Sequence, residues 1–404
     1  MIKRIIKKLP GIKQLVGKFQ QIHKELSDLR KKISELEKEG KKKDQEIVLL
    51  KKDIKALNDN LKDLKACEEE HVRYIKKLEE EYVRYAKELE AELAKMNNKD
   101  TSILNNLETF KSRYGRERYQ MKMEMRTNLY KALPKEKYEE ELRNWYLSST
   151  GKVLDLEHPK TYNEKLQWIK LFENNPEKTR LSDKYLVREY VKEKIGEKYL
   201  IPLLGVWNSF DEIDFSKLPQ QFALKANHGC GYNLIVQNKE ELDLKEAKQK
   251  FDNWLTTNFA YVNLELHYKD IKPLIIAEEY IENEKEDLYD YKVWCFNGEP
   301  KYIMYLANRK KGLQMVFYDT EWNRMPFTYS VDVYEGEVEK PDNLEELLEI
   351  SRKLSADFNH VRVDFYRLND GTYKFGEMTF TSAAGKAIWN PPEYDRILGD
   401  MFEL

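Results

Sequence analysis

From Ile22 to Met96 the chain keeps one heptad register without a stutter. The a positions carry Leu26, Ile33, Ile47, Ile54, Leu61, Ile75, Tyr82, Leu89 and Met96. The d positions carry Ile22, Leu29, Leu36, Leu50, Leu57, Leu64, Leu78 and Tyr85. A 3.5-residue apolar repeat held this long predicts a coiled coil, and Ile at a with Leu at d favours two parallel strands. The expectation is a parallel homodimer joined by a rod roughly 110 Å long at 1.5 Å per residue. Gly40, Lys43, Glu68, His71 and Glu92 interrupt the seam and weaken it locally.

The first 20 residues, MIKRIIKKLPGIKQLVGKFQ, interleave apolar residues with six basic and no acidic ones. Such a segment suits an anionic membrane surface, although Pro10-Gly11 breaks a single helix and a solvated lead-in is the alternative. Residues 98–150 read as a linker followed by helical patterning interrupted at Pro134. A net charge of −2 on 404 residues gives no field for nucleic acid. Cys67, Cys230 and Cys295 are too few and too scattered for a disulfide framework or a thiolate metal set. No apolar run is long enough to span a bilayer and no signal peptide is evident, so the expected location is the cytoplasm, with peripheral contact at the inner face of the plasma membrane.

From about residue 151 to the C-terminus the character changes. Short β-rich runs at 222–227, 233–237, 274–281, 291–296, 301–306, 314–318, 361–367 and 372–380 alternate with helical stretches at 183–195, 244–259 and 343–357. This predicts an α+β domain of mainly antiparallel hairpins. Within it, Lys225 ends an apolar run and is followed by the small-residue loop His228-Gly229-Cys230-Gly231. Small residues let backbone N–H groups approach a phosphate closely. Further on, a two-residue Asp370-Gly371 turn pairs Asn369 with Thr372 and, counting outward, sets Asp364 opposite Glu377. Facing carboxylates repel, and a divalent cation such as Mg²⁺ turns that repulsion into affinity. Thr379 shares a strand face with Glu377 because residues i and i+2 point the same way.

These stations resemble an ATP-grasp fold, and more closely the TupA-like ATP-grasp family of bacterial surface-polysaccharide gene clusters. The segments that carry the resemblance are HPKTYNEKLQWIKLFENNPEKTRLSDKYLVREYVKEKIGEKYLIPLLGVWNSFDEIDFSKLPQQFALKANHGCGYN (158–233), DYKVWCFNGEPKYI (290–303) and FGEMTFTSAAG (375–385), within about residues 135–400. The resemblance implies that Lys184 and Lys225 reach the ATP phosphates under the 228–231 loop. It implies that Glu278, Glu279, Tyr280 and Ile281 meet the adenine, with Glu286 or Asp287 at the ribose. Lys292 and Arg309 would face the γ-phosphate or an acyl phosphate, and Asp364, Glu377 and Thr379 would hold Mg²⁺. Many members of the superfamily have Asn where this chain has Thr379. Cys230 is read as a small loop residue rather than a nucleophile, since a reactive thiol needs a depressed pKa. His228 either polarises a substrate carbonyl or caps the loop.

The implied activity is an ATP- and Mg²⁺-dependent ligase joining a carboxylate to an amine through an acyl phosphate, on a uronic acid or an amino acid of a surface glycan. Two alternatives stand beside it: a sugar or lipid kinase using the same nucleotide grip, and a non-catalytic coiled-coil scaffold.

Overall fold

The computed structural model describes residues 28–29, 31–32, 48, 50–55, 58, 126–128, 130–173, 175–282, 289–307 and 313–404. The chain divides into two compact units, Met1–Ala132 and Leu133–Leu404.

In the first unit, Leu29 and Ile54 pack on buried Leu50. The rest of the heptad and the basic segment 1–20 lie outside the described residues.

The second unit begins at Leu133, so the helix Tyr138–Thr150 is built into it, with Leu142, Trp145 and Tyr146 buried. Two sheets organise the unit, antiparallel throughout except for one short parallel pair at the edge of the second. The first has four strands in the order β1 (Leu203–Trp207), β4 (Ile275–Glu279), β2 (Phe222–Ala226), β3 (Asn233–Val236). One face of it, Phe222, Leu224, Ala226, Ile275 and Ala277, buries against Ala247 and Phe251 of the helix Leu244–Thr256. Side chains alternate along a strand, so Lys225 and Glu278 are left on the opposite face.

The second sheet follows the order β11 (Tyr373–Thr379), β10 (His360–Arg367), β5 (Tyr289–Phe296), β6 (Glu299–Ala307), β7 (Gln314–Asp319), β9 (Asp332–Val333). A short pair, β8 (Thr328–Tyr329) with β12 (Trp389–Asn390), stands apart. Val293, Cys295, Val361, Val363, Phe365 and Met378 fill one face against the helices Val187–Lys194 and Leu344–Ser355. The other face is divided. Trp294, Phe296, Met304 and Phe317 pack under Tyr162, Leu166, Trp389 and Phe402, while Asp290, Lys292, Arg362, Asp364 and Glu377 occupy the rest. The apolar half fixes the sheet and the polar half is the candidate site.

The β10–β11 hairpin brings Asp364 opposite Glu377, but not by the two-residue turn expected from sequence. Leu368 donates its N–H to Thr372 O and Gly371 donates to Leu368 O, with Gly371 at φ +84°. The loop is therefore three residues, 369–371. This gives the register Arg367↔Tyr373, Tyr366↔Lys374 and Phe365↔Phe375. A bulge at Gly376 then shifts the pairing by one and restores Asp364↔Glu377. A Cβ on residue 376 would sit 3.1 Å from the Asp364 carbonyl oxygen, so glycine permits the close approach.

Beyond β11 the chain passes through Ala383 (φ 51°), Ala384 (φ 53°) and Gly385 (φ 67°), three successive left-handed residues. Such backbone costs of order 1 kcal/mol or more per non-glycine residue and needs support from its surroundings. The support comes from the helix Tyr162–Phe172: Gln167 Nε2 donates to Ala384 O (3.1 Å) and Gly385 O (2.5 Å), and Lys170 Nζ donates to Ala384 O (3.1 Å). Lys170 is 1% exposed and lies over the Trp145 ring at 4.4 Å. Lys170→Met is expected to cost about 2–3 kcal/mol in urea unfolding, since it removes a buried donor to a strained turn.

Candidate active site

The loop after β2 is closed by Ala226 N–H donating to Tyr232 O at 2.9 Å. Tyr232 stacks on Trp254 (ring centroids 5.3 Å apart, 12° between planes) and meets Phe259 edge-on. This aromatic base holds the loop from behind. A Cβ at Gly229 would strike the Tyr232 ring at 2.6 Å, and Gly231 has φ +74°, so both glycines are demanded by the geometry. His228 is spent on the backbone: Nε2 lies 3.0 Å from Trp254 O and 3.2 Å from Thr257 O. Burial holds its pKa below the usual histidine value, which suits a neutral ring donating to those carbonyls. Of the two roles open to it, the geometry is that of a loop anchor. Cys230 is exposed at the tip. Its thiol is nevertheless pushed above the ordinary value, first by loss of hydration and then by the Glu377 charge, against the pull of Lys184 and Arg362. That is the opposite of an activated nucleophile.

Lys184 precedes the helix Val187–Lys194 in a turn whose backbone is tied to the loop, Lys184 N–H to Asn227 O at 3.0 Å. Its ammonium donates to Gly229 O at 2.8 Å and lies 3.4 Å from Glu377 Oε2. Through this side chain the loop of the first sheet reaches the carboxylate of the second. Lys225 Nζ donates to Glu278 Oε2 at 2.6 Å, and Arg188 holds the other oxygen of Glu278 at 2.7 Å. Glu278 thus orients Lys225 on the face away from the core, a role that its place in the adenine-binding stretch did not suggest. Glu279 is exposed, Tyr280 accepts from Gln237 Nε2 at 2.8 Å, and Ile281 is half-buried. Glu279 is the last residue of β4, and Tyr280 and Ile281 follow it.

On the second sheet, Lys292 on β5 stands opposite Asp364 on β10 and bonds its carboxylate, with Asp290 at 3.2 Å. Burial alone would lower the Lys292 pKa, but Asp364 and Asp290 outweigh it and raise the value. Arg362 grips Asp364 with both arms of its fork, Nε to Oδ1 at 2.7 Å and one terminal nitrogen to Oδ2 at 2.8 Å. The same guanidinium donates to Thr379 Oγ1 at 3.1 Å, reaches Ser382 Oγ at 3.4 Å and lies 3.6 Å from Glu377 Oε1. For Glu377, burial would raise the pKa, yet Lys184, Lys292 and Arg362 together bring it down to about 2. Thr379 sits between Arg362 and Glu377, donating to the latter at 3.4 Å.

Sequence reading passed over Arg362 and Arg188, and took Asp290 only as the acid of an aspartate-x-basic strand with Lys292. For Arg362 the signal was present: it stands at i−2 from Asp364, on the same strand face. Arg309, Glu286 and Asp287 lie outside the described residues.

Among the described residues no group of three or more His, Cys, Asp or Glu could form a protein-only metal cage. Mg²⁺ needs none: it commonly takes one or two carboxylates and leaves its other positions to water and phosphate. Asp364 and Glu377, paired across the hairpin, fit that demand.

A family model described as TupA-like ATPgrasp matches residues 164–403, more than half of the chain. A comparison with curated proteins returns no match. Solved structures similar to the chain include an L-amino acid ligase from Bacillus licheniformis (15% identity, 59% of this chain and 55% of that one, TM-score 0.37). A D-alanine–D-alanine ligase from Bacillus anthracis complexed with ATP (16%, 55% and 65%, 0.34) is another. A third is an N5-carboxyaminoimidazole synthetase from Staphylococcus aureus complexed with ADP (14%, 49% and 43%, 0.30). The chain spans about half the length of the first solved structures it matches. With the glycine loop, its two lysines and the opposed carboxylates in one cleft, and the family model running through all of them, the chain belongs to the TupA-like ATPgrasp family.

Proposed function

We propose that the protein is an ATP- and Mg²⁺-dependent carboxylate–amine ligase. The observation that carries this reading is the convergence of two sheets on one charge cluster: Lys184 bridges the glycine loop and Glu377, while Lys292 and Arg362 flank the facing Asp364. Lys184, Lys225 and the loop N–H groups bind the triphosphate, and the residues ending β4 receive the base. Asp364 and Glu377 hold Mg²⁺, which when bound neutralises charge on the phosphate oxygens. Lys292 and Arg362 orient a carboxylate oxygen toward the terminal phosphoryl group and stabilise the charge that builds on it. Thr379 sets the rotamer of Arg362. In such sites most of the rate comes from positioning and fixed charge.

The substrate class follows from the family's setting in surface-polysaccharide gene clusters: a uronic acid of a glycan, or an amino acid joined to it. The basic segment 1–20 would then hold the enzyme at the inner membrane surface, where lipid-linked glycans are assembled. Among the described residues no helix is long and apolar enough to cross a membrane.

The test is trapping. Protein incubated with Mg·ATP, a panel of uronic acids and hydroxylamine is expected to release ADP and form a hydroxamate in equal amounts. ADP with a phosphorylated sugar and no hydroxamate would show the kinase instead, and no ADP with any carboxylate would defeat the ligase reading.

A further inference from the structure

Glu265 lies between the short helix Ala260–Asn263 and the 3-10 turn Leu266–Tyr268, and belongs to none of the stations described above. It is 5% exposed. Its Oε1 accepts from Thr381 Oγ1 at 2.5 Å and its Oε2 from Asn263 Nδ2 at 3.2 Å. Both donors are neutral. Three other buried acids beside the site have a cation against them: Glu278 has Lys225 and Arg188, and Asp290 and Asp364 have Lys292, whereas Asp183 is held by the backbone N–H groups of Tyr185 and Leu186. Glu265 forms no ion pair among the described residues. A buried carboxylate served only by neutral donors is costly to keep, and a cation brought by a ligand would relieve that cost.

Its position ties it to the reacting end of the cleft. Thr381 lies two residues beyond Thr379, in the bend that follows β11. The segment 379–382 bonds Arg362 through Thr379 and Ser382 while Thr381 turns to Glu265. The Glu265 charge is also felt at Cys230 and Tyr268, and both of those feel Glu377 as well. Through Thr381, Glu265 is tied to the segment that also holds Arg362.

We propose that Glu265 receives the protonated amine of the acceptor substrate. The inference rests on the ligase reading above and names the side from which the amine enters. The ammonium binds Glu265 and gives it one proton. The freed lone pair forms the C–N bond at the acyl carbon of the acyl phosphate. The C–O bond to the phosphoryl group breaks, its electron pair leaves with inorganic phosphate, and phosphate takes the second proton from nitrogen. Thr381 fixes the carboxylate for the incoming amine.

The substitution Glu265→Gln tests this, because the amide oxygen can still accept from Thr381 and the fold is retained. Hydroxylamine is neutral at pH 7 and needs no anionic receptor, so its hydroxamate formation is expected to stay within about twofold of wild type. With amino acids and polyamines supplied as acceptors, kcat/KM is expected to fall about 30-fold or more, mostly through KM, as for loss of one partner of a buried charge pair. An unchanged KM for every productive amine would overturn the assignment. So would equal loss with hydroxylamine and with amines, which would make Glu265 a structural residue. If wild type forms no hydroxamate at all, the ligase reading itself fails and takes this assignment with it.

Discussion

Arg362→Met is expected to lower ATP-dependent turnover by about 10²–10³-fold, the usual cost of removing a preorganised charge from beside a developing anion. The guanidinium is 8% exposed and binds Asp364 through two parallel bonds while also holding Thr379 and Ser382. No other residue type offers that planar fork, so Arg362→Lys should recover the charge but little of the rate. The same substitution to Met leaves Asp364 with Lys292 as its one cationic partner among the described residues, and breaking a buried pair in this way costs about 3–5 kcal/mol. Urea unfolding would report that loss separately from turnover. A Met variant stable and active to within tenfold of wild type would remove Arg362 from the reacting centre.

The second large effect concerns the facing carboxylates. At about 100 times its dissociation constant, a ligand that binds only the folded state adds about 2.7 kcal/mol. For a unit of this size, that is a rise in Tm of roughly 5–10 °C. Mg·ATP is expected to give wild type such a shift and to give Asp364→Asn with Glu377→Gln none. Equal shifts in both would place the nucleotide or its metal elsewhere.

Without ligand, Glu377→Gln alone has a pH signature. The folded pKa of Glu377 is depressed to about 2 from an ordinary 4.5, by Lys184, Lys292 and Arg362 acting against burial. A depressed carboxylate stabilises the fold above its unfolded pKa, and that stability is lost as pH falls toward the folded value. The stability gap between wild type and Glu377→Gln should therefore be full at pH 7 and narrow between about 4.5 and 2.

Much of the second unit could be read in advance because its strands advertise themselves. Runs such as His360–Arg367 carry β-branched and aromatic residues at period two, and the observed strands differ from the sequence reading by a residue or two at each end. The hairpin was harder. Asp370-Gly371 looks like a two-residue turn, but Gly376, which permits a bulge, was not read as one, and two one-residue errors cancelled at Asp364 and Glu377. Contacts between distant segments left no local trace: Thr381 meets Glu265 across 116 residues, and Lys225 meets Glu278 across 53. Arg362 was overlooked for a different reason. In VRVDF the eye takes the apolar alternation as core and the Asp as the feature, although the Arg shares the Asp's face. The heptad, the clearest pattern in the chain, falls mostly outside the described residues.

The bulge at Gly376 has a mechanical meaning. Because the one-residue offset is made between Phe375 and Glu377, next to the carboxylates, the alignment of Asp364 with Glu377 is decided there and is insulated from the hairpin tip. Gly371 is fixed by its φ of +84° and by Asn343 donating to its carbonyl, but a change in length at the tip, such as an added peptide epitope, is expected to leave the carboxylate pair in place. The tolerance ends at residue 376 itself, where a single methyl group would press on the Asp364 backbone and transmit any change straight to the cleft.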